Sequence, residues 1–169
     1  KIGQNIKFDM VVLRKYDVKV SGPLFDTMIA HYLLNPELHH NMDYLSETYL
    51  KYKPVSIETL IGPKGKNQLT MRDVPVEQVA EYAAEDADIT LQLKNYFAPV
   101  LKKEGLESLF FDMEMPLIYV LEEIEVTGIT LDIEALKQSS RTLSAALISL
   151  EEEIYALAGM PFNINSTKQ

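Results

Sequence analysis

The run Lys1-Ile2-Gly3-Gln4-Asn5-Ile6-Lys7-Phe8-Asp9 decides the fold class, because its pattern changes within a few residues. Its first residues read as the end of a β-strand that is broken by Gly3. From Ile6 to Tyr16 the apolar residues instead recur at helical spacing. A strand that passes directly into a helix is typical of an α/β domain.

Three further helices are predicted in the part of the chain that follows, and the second of them is a short helix over Met42–Leu50. Asp26 comes directly after an extended segment and is placed to cap a helix that ends near Asn35. A longer helix begins near Pro75, a residue type favoured in the first turn, and continues towards Gly105. Pro99 is expected to kink or interrupt that helix, because proline lacks the backbone N–H that a helix uses.

The pattern changes near Gly105, where we place a domain boundary that divides the chain into residues 1–105 and 106–169. The first part is predicted to be α/β and the second to be all-helical. In the second part, Asp132 is expected to cap a helix that reaches Gly159. One apolar stripe on this helix steps by sevens, fours and threes, as helix-hairpin and coiled-coil seams do: Leu136, Leu143, Leu147, Leu150, Ile154 and Leu157. We expect self-association through this stripe wherever its partner helix is absent.

Composition indicates a soluble globular protein of the cytoplasm. The chain has 169 residues, of which 47% are hydrophobic and 24% charged, and it contains no cysteine for a disulfide or a thiolate metal site. No stretch approaches the run of about 20 apolar residues that crosses a membrane. The formal net charge of −9 argues against a module that grips duplex DNA over a broad face. It is neutral about a nuclease, because a bound metal supplies local positive charge.

Both ends of the chain are expected to lie inside a longer polypeptide. One strand fragment precedes the first helix, whereas a stable sheet usually needs several strands. At the other end, residues 163–169 form a turn that carries helix N-cap residues with almost no helix behind them.

Two spacings carry the candidate chemistry: Asn5 with Asp9, and Tyr82 with Asp86. Residues four apart on a helix share a face, so the Tyr82 hydroxyl and the Asp86 carboxylate are predicted to project to the same place. Paired carboxylates suit hard Mg²⁺, and a phenol can hold an attacking water without binding the metal. Asp88 points well away from Asp86 and ranks below it, with Glu85 between them.

Other polar residues have plainer interpretations. His31 on a helix and His39-His40 in a polar loop are expected to be solvated or partly buried rather than metal ligands. Asp26 is expected to be a helix cap. The lysines that could reach DNA phosphates are scattered over an acidic protein and are expected to face solvent: Lys51, Lys53, Lys64 and Lys66.

Six segments, taken in order, resemble the family A DNA polymerases of the bacterial polymerase I type. Residues 3–9 resemble the second exonuclease motif of that family, and residues 82–88 resemble the third. The other four segments are Phe25-Asp26-Thr27-Met28, Gly65-Lys66-Asn67-Gln68-Leu69-Thr70, Met113-Glu114-Met115-Pro116-Leu117 and Phe162-Asn163-Ile164-Asn165-Ser166-Thr167-Lys168-Gln169. Each match alone is weak, but six in the same order over nearly the whole chain are specific.

The resemblance implies a ribonuclease-H-like (DEDD) 3′→5′ exonuclease domain without its N-terminal strands at residues 1–105. Long antiparallel thumb helices that open the polymerase domain would follow at residues 106–169. It implies that Asp9 and Asp86 are two of four carboxylates holding two Mg²⁺ or Mn²⁺ ions, and that Tyr82 orients the attacking water. Asn5 and Gln4 would lie along a single-stranded 3′ end of DNA. The other two carboxylates belong to an Asp-x-Glu motif that would lie upstream of Lys1.

The expected function is therefore that of a fragment of a DNA polymerase of the bacterial nucleoid, which copies a primed template and proofreads it. The fragment itself is expected to be weakly active or inactive, because half of the metal ligands are missing. Two alternatives stay open. One is a ribonuclease-D-like 3′→5′ exonuclease, and the other is a non-catalytic scaffold or DNA-binding remnant of the same fold.

Overall fold

The computed structural model describes residues 1–166, and they form two compact units that divide after Thr127. The first unit therefore reaches past Gly105, because the helices that follow Gly105 pack against the first helix and the second helix of the chain. The predicted division between residues 1–105 and 106–169 stays a prediction about the family's domains.

A strand–helix–strand element opens the first unit. Strand β1 (Ile2–Gly3) is followed by helix α1 (Ile6–Arg14) and strand β2 (Phe25–Asp26). The two strands are parallel, with Ile2 opposite Phe25 and Gly3 opposite Asp26. Glycine is required at position 3, because a Cβ atom there would lie 2.7 Å from the Cβ of Ile6.

Helices make up most of the remaining first unit. They are α2 (Thr27–Leu34), α3 (Met42–Leu45), a π-helical turn (Ser46–Leu50), α4 (Glu58–Ile61), a 3-10 turn (Met71–Asp73), α5 (Val76–Lys103), a second π-helical turn (Leu109–Glu114) and α6 (Met115–Thr127). The helices predicted after Asp26 and near Pro75 are confirmed, as is the helix-rich α/β class. However, α5 is not interrupted at Pro99.

The core of the first unit forms where α5 packs against β1 and α2. Leu93, Phe97 and Leu101 of α5 are completely buried, as is Phe110 in the second π-helical turn. The three side chains of α5 lie four residues apart, so they form one face of that helix. Burial of that face fixes the rotation of α5 and thereby the direction in which its polar residues point.

A single buried carboxylate caps two helices. Asp26 Oδ1 accepts hydrogen bonds from the backbone N–H groups of Met28 (2.9 Å) and Ile29 (3.2 Å) at the start of α2. It also accepts one from Asn5 N–H (3.3 Å), and Asp26 Oδ2 accepts one from Ile6 N–H (2.7 Å), at the start of α1. The predicted cap of α2 is confirmed. The cap of α1 was not predicted, because it joins residues about twenty positions apart.

The second unit is dominated by helix α7 (Ile133–Ala158). The predicted cap is confirmed, since Asp132 Oδ1 accepts a hydrogen bond from Ala135 N–H (2.9 Å). All six residues of the apolar stripe are exposed: Leu136, Leu143, Leu147, Leu150, Ile154 and Leu157. The last three residues of the resemblance segment at 162–169 lie outside the described residues. Across residues 1–166, no helix is both long enough and apolar enough to span a membrane.

Candidate functional site

One cleft of about 590 Å³ brings Asp9 and Asp86 together. Asp9 lies in the first turns of α1, and Asp86 lies partway along α5. Gln4, from the turn between β1 and α1, and Thr90, one helical turn beyond Asp86, line the same cleft. The packing of α5 against β1 thus joins two carboxylates that are 77 residues apart in the sequence.

The Asp86 carboxylate has one buried oxygen without a hydrogen-bond donor. Burial raises the pKa of Asp86 above its ordinary value, and repulsion from Glu85 and Asp43 raises it further, whereas Tyr82 opposes the rise. Its Oδ1 atom is buried and accepts no hydrogen bond, and no other buried side-chain polar atom of residues 1–166 is in that state. Buried polar atoms are almost always bonded, so this oxygen is suited to an electropositive ligand.

The pKa of the Asp9 carboxylate is raised, as is that of Asp86. Burial raises the pKa of Asp9, and repulsion from Asp26 adds to the rise. Among the described residues, neither lysine nor arginine lines the cleft. A divalent cation bound in this cleft would stabilise the charged forms of both carboxylates.

The residues present fit part of a metal site. Magnesium binds carboxylate oxygens and keeps several waters, so Asp9 and the unpartnered oxygen of Asp86 are suitable ligands. In the part of the chain that the structure describes, no group of three or more histidine or acidic side chains is arranged to hold a metal. Asp9 and Asp86 are two of the four carboxylates that the resemblance implies.

Tyr82 lies one helical turn before Asp86 and lines a neighbouring cleft of about 550 Å³. Burial, followed by the charge of Asp86, raises the pKa of Tyr82 to about 12. The phenol therefore keeps its proton at neutral pH and can donate a hydrogen bond. Tyr82 and Asp86 each affect the pKa of the other, as expected for side chains on one side of α5. They nevertheless line adjacent clefts.

Glu85 and Asp88 have structural partners of their own. Glu85 accepts hydrogen bonds from Tyr52 Oη (2.5 Å) and Val55 N–H (2.9 Å), which ties the segment after the first π-helical turn to α5. Asp88 Oδ2 accepts a hydrogen bond from Gln92 (2.6 Å) and lines the Tyr82 cleft, away from Asp9. These positions agree with the prediction that ranks Glu85 and Asp88 below Asp86 as metal ligands.

Gln4 and Asn5 differ in how free their side chains are. The Gln4 amide nitrogen donates to the backbone carbonyl of His40 (2.6 Å), and its oxygen accepts from Thr27 Oγ1. Gln4 thus anchors the loop before α3 while it lines the cleft. Asn5 has a left-handed backbone conformation (φ 60°) and an exposed side chain, so its amide faces solvent.

Asp43 is the residue of this region that the sequence did not single out. It lies in the first turn of α3, and its charge raises the pKa values of both Tyr82 and Asp86. No spacing in the sequence points to it, because it reaches the site only through the folding of α3 against α5.

His31 and the half-buried His40 belong to one hydrogen-bonded network, whereas His39 is exposed. His31 is completely buried, with Nδ1 2.7 Å from Nδ1 of His40 and Nε2 2.8 Å from Tyr49 Oη. Burial, followed by His40, lowers the pKa of His31 to about 4, so His31 is neutral at physiological pH. The four candidate lysines are all exposed, as expected: Lys51, Lys53, Lys64 and Lys66.

Comparison with known proteins gives consistent matches. The family model described as 3′-5′ exonuclease matches residues 1–102. DNA polymerase I of Chloroflexus aurantiacus is 44% identical over 170 residues, which are 100% of this chain and 18% of the relative. DNA polymerase I of Rhizobium leguminosarum is 39% identical over 170 residues, which are 100% of this chain and 16% of the relative. The chain therefore spans less than a fifth of these relatives' length.

The fold also matches a solved structure. The POL domain of Pol1 from M. smegmatis, in complex with a DNA primer-template and dNTP, superposes with a TM-score of 0.71 and 24% sequence identity. The match covers 100% of this chain and 26% of that chain. At this level of identity the likeness concerns the fold alone.

Proposed function

Because the chain belongs to the 3′-5′ exonuclease family of family A DNA polymerases, we propose that it supplies half of a two-metal proofreading site. The observation that carries the proposal is the cleft lined by both Asp9 and Asp86, in which the buried Oδ1 of Asp86 accepts no hydrogen bond. The intact protein would be a bacterial DNA polymerase I, which extends a primer on a template and removes mispaired 3′ nucleotides.

The metal would be Mg²⁺ or Mn²⁺, held by Asp9 and Asp86 together with carboxylates from outside residues 1–169. When bound, it supplies the charge that activates a water and stabilises the leaving oxygen of the phosphodiester. Asp9 and Asp86 contribute negative charge at fixed positions on α1 and α5. A bound cation would lower the pKa of each carboxylate and so oppose the rise that burial causes.

Tyr82 would orient the attacking water through its protonated phenol. Its pKa of about 12 keeps the hydroxyl a hydrogen-bond donor over the whole physiological range. Since a donor held on a rigid helix fixes the water before the reaction, most of the benefit is positional. Asn5, with its exposed amide, would contact the single-stranded 3′ end, and Gln4 would hold the loop before α3 beside it.

The chain alone is proposed to be weakly active or inactive. Magnesium needs few protein ligands, but two carboxylates alone would leave it weakly bound and poorly placed. The parent polymerase, in contrast, is proposed to have the activity. DNA is the proposed partner, in agreement with the primer-template bound to the M. smegmatis protein.

The test is degradation of a 5′-labelled single-stranded oligonucleotide with Mg²⁺ or Mn²⁺. The samples are this chain and a version extended upstream, each with and without Asp86→Ala. Asp88→Ala in the extended version is the matched control, because Asp88 lies two residues from Asp86 on α5 but faces the other cleft.

The proposal is supported if only the extended version and its Asp88→Ala variant cleave DNA from the 3′ end. Cleavage by this chain that Asp86→Ala abolishes would show that the site is complete without upstream carboxylates. If no version cuts DNA, the alternative of a non-catalytic scaffold or DNA-binding remnant is favoured. A preference for RNA would instead favour a ribonuclease-D-like exonuclease.

A further inference from the structure

Helix α1 presents two opposite faces to two different parts of the first unit. Lys7 and Arg14 are seven residues apart, so they lie on nearly the same face. Asp9 lies roughly 140–160° around the helix from both, at about 100° per residue. Asp9 therefore faces the cleft while Lys7 and Arg14 face α6, against which α1 packs.

Ion pairs join α1 to α6 along that second face. Arg14 Nη1 lies 3.1 Å from Glu122 Oε1, and Arg14 Nη2 lies 2.8 Å from Glu123 Oε2. Lys7 Nζ pairs with Glu125 at the other end of the same face. The Glu122 side chain is only 7% exposed and that of Arg14 28% exposed, so this pair is largely removed from solvent. A buried carboxylate that loses its partner is strongly unfavourable, so Glu122 constrains where Arg14 can lie.

On the basis of the proposed function, we propose that Arg14 and Lys7 are positioning residues for the Asp9 carboxylate. They hold α1 against α6 through Glu122, Glu123 and Glu125. Since α6 belongs to the region predicted to open the polymerase domain, the same ion pairs link the geometry of the exonuclease cleft to that region.

Because α1 is short, the ion pairs on one of its faces can affect the position of Asp9 on the opposite face. The helix has nine residues, and Asp9 is five residues from Arg14, or roughly 7.5 Å along the axis. Ile6 and Met10 anchor the buried face of the helix, and the ion pairs add a second attachment on the face that packs against α6. A metal ligand must be held to within about 0.5 Å, so a small rotation of α1 is enough to weaken metal binding at Asp9.

The test measures Mn²⁺ binding to the full-length polymerase by electron paramagnetic resonance of the free ion, and exonuclease activity as a second readout. Arg14→Gln is expected to weaken Mn²⁺ binding roughly tenfold, the usual size of an effect exerted through a ligand's support. Activity at saturating Mn²⁺ should be largely retained. Arg14→Lys, which keeps the charge, should recover most of the affinity. Arg141→Gln is the matched control, because Arg141 is exposed on α7.

The outcomes distinguish a failure of the positioning role from a failure of the proposed function. If Asp9→Asn leaves Mn²⁺ binding unchanged, the proposed function itself is wrong. If Asp9→Asn weakens binding but Arg14→Gln behaves like Arg141→Gln, only the positioning role is overturned. Should Arg14→Gln fail to fold, as judged by circular dichroism, Lys7→Gln and Lys7→Arg provide the same comparison at the more exposed pair. Equal Mn²⁺ affinity in those two variants would also overturn the proposal.

Discussion

Replacement of Asp26 by alanine is expected to lower the free energy of unfolding of the first unit by about 2–4 kcal/mol. The carboxylate is 1% exposed and accepts four backbone N–H groups, two at the start of α1 and two at the start of α2. Loss of one N-cap usually costs about 1–2 kcal/mol, and Asp26 caps two helices. Asp26→Asn keeps one acceptor oxygen and is expected to cost roughly half as much.

The assay is urea denaturation of this chain, followed by circular dichroism. Asn41→Ala is the matched control, because Asn41 is an exposed N-cap in the same unit whose side chain accepts one backbone N–H, that of Tyr44 at 2.9 Å. It should cost about 1 kcal/mol. A cost for Asp26→Ala no larger than that of Asn41→Ala would refute the conclusion that one carboxylate caps both helices.

Four further predictions follow from named contacts. Tyr82→Phe should lower exonuclease kcat of the parent roughly 10²-fold without weakening oligonucleotide binding, and an equal loss of binding would contradict its role towards water. Glu85→Gln should lower the free energy of unfolding by about 1 kcal/mol, measured in urea, because the bonds from Tyr52 and Val55 are weakened. His31 has a folded pKa of about 4 against an ordinary 6.5, so its contribution to stability is present above pH 6.5 and is lost as the pH falls towards 4. The loss of unfolding free energy is at most about 3 kcal/mol. If urea denaturation gives a His31→Asn variant the same dependence of stability on pH as the wild type, His31 is not the cause of the loss. We also propose that the α7 stripe mediates self-association, which Leu147→Glu should abolish in sedimentation velocity, and a wild-type chain that stays monomeric at all concentrations would exclude it.

Local signals in the sequence were enough to locate most helices. The caps at Asp26 and Asp132 and the apolar spacing of α1, α5 and α7 depend on neighbouring residues, so they can be read without tertiary structure. Pro99 did not interrupt α5, because Phe97 and Leu101 on either side of it are completely buried and hold the helix in the core. Tertiary packing there outweighs a local preference.

The site was only partly predictable for the same physical reason. The spacing of Tyr82 and Asp86 is local to one helix, but the approach of Asp9 requires β1 to pack on α5. Asp43, the double cap at Asp26 and the bond from Gln4 to His40 likewise join residues that only the folded chain brings together. The roles of Asp9, Asp86, Tyr82, Asn5 and Gln4 in catalysis stay predictions.

The most direct test of the central claim is to locate Mn²⁺ by anomalous X-ray scattering in crystals of the upstream-extended chain with a single-stranded 3′ end. An ion is expected in direct coordination with Asp86 Oδ1, with Asp9 as a ligand of an ion in the same cleft. Mn²⁺ density that contacts neither carboxylate would contradict the assignment of this cleft as the exonuclease site.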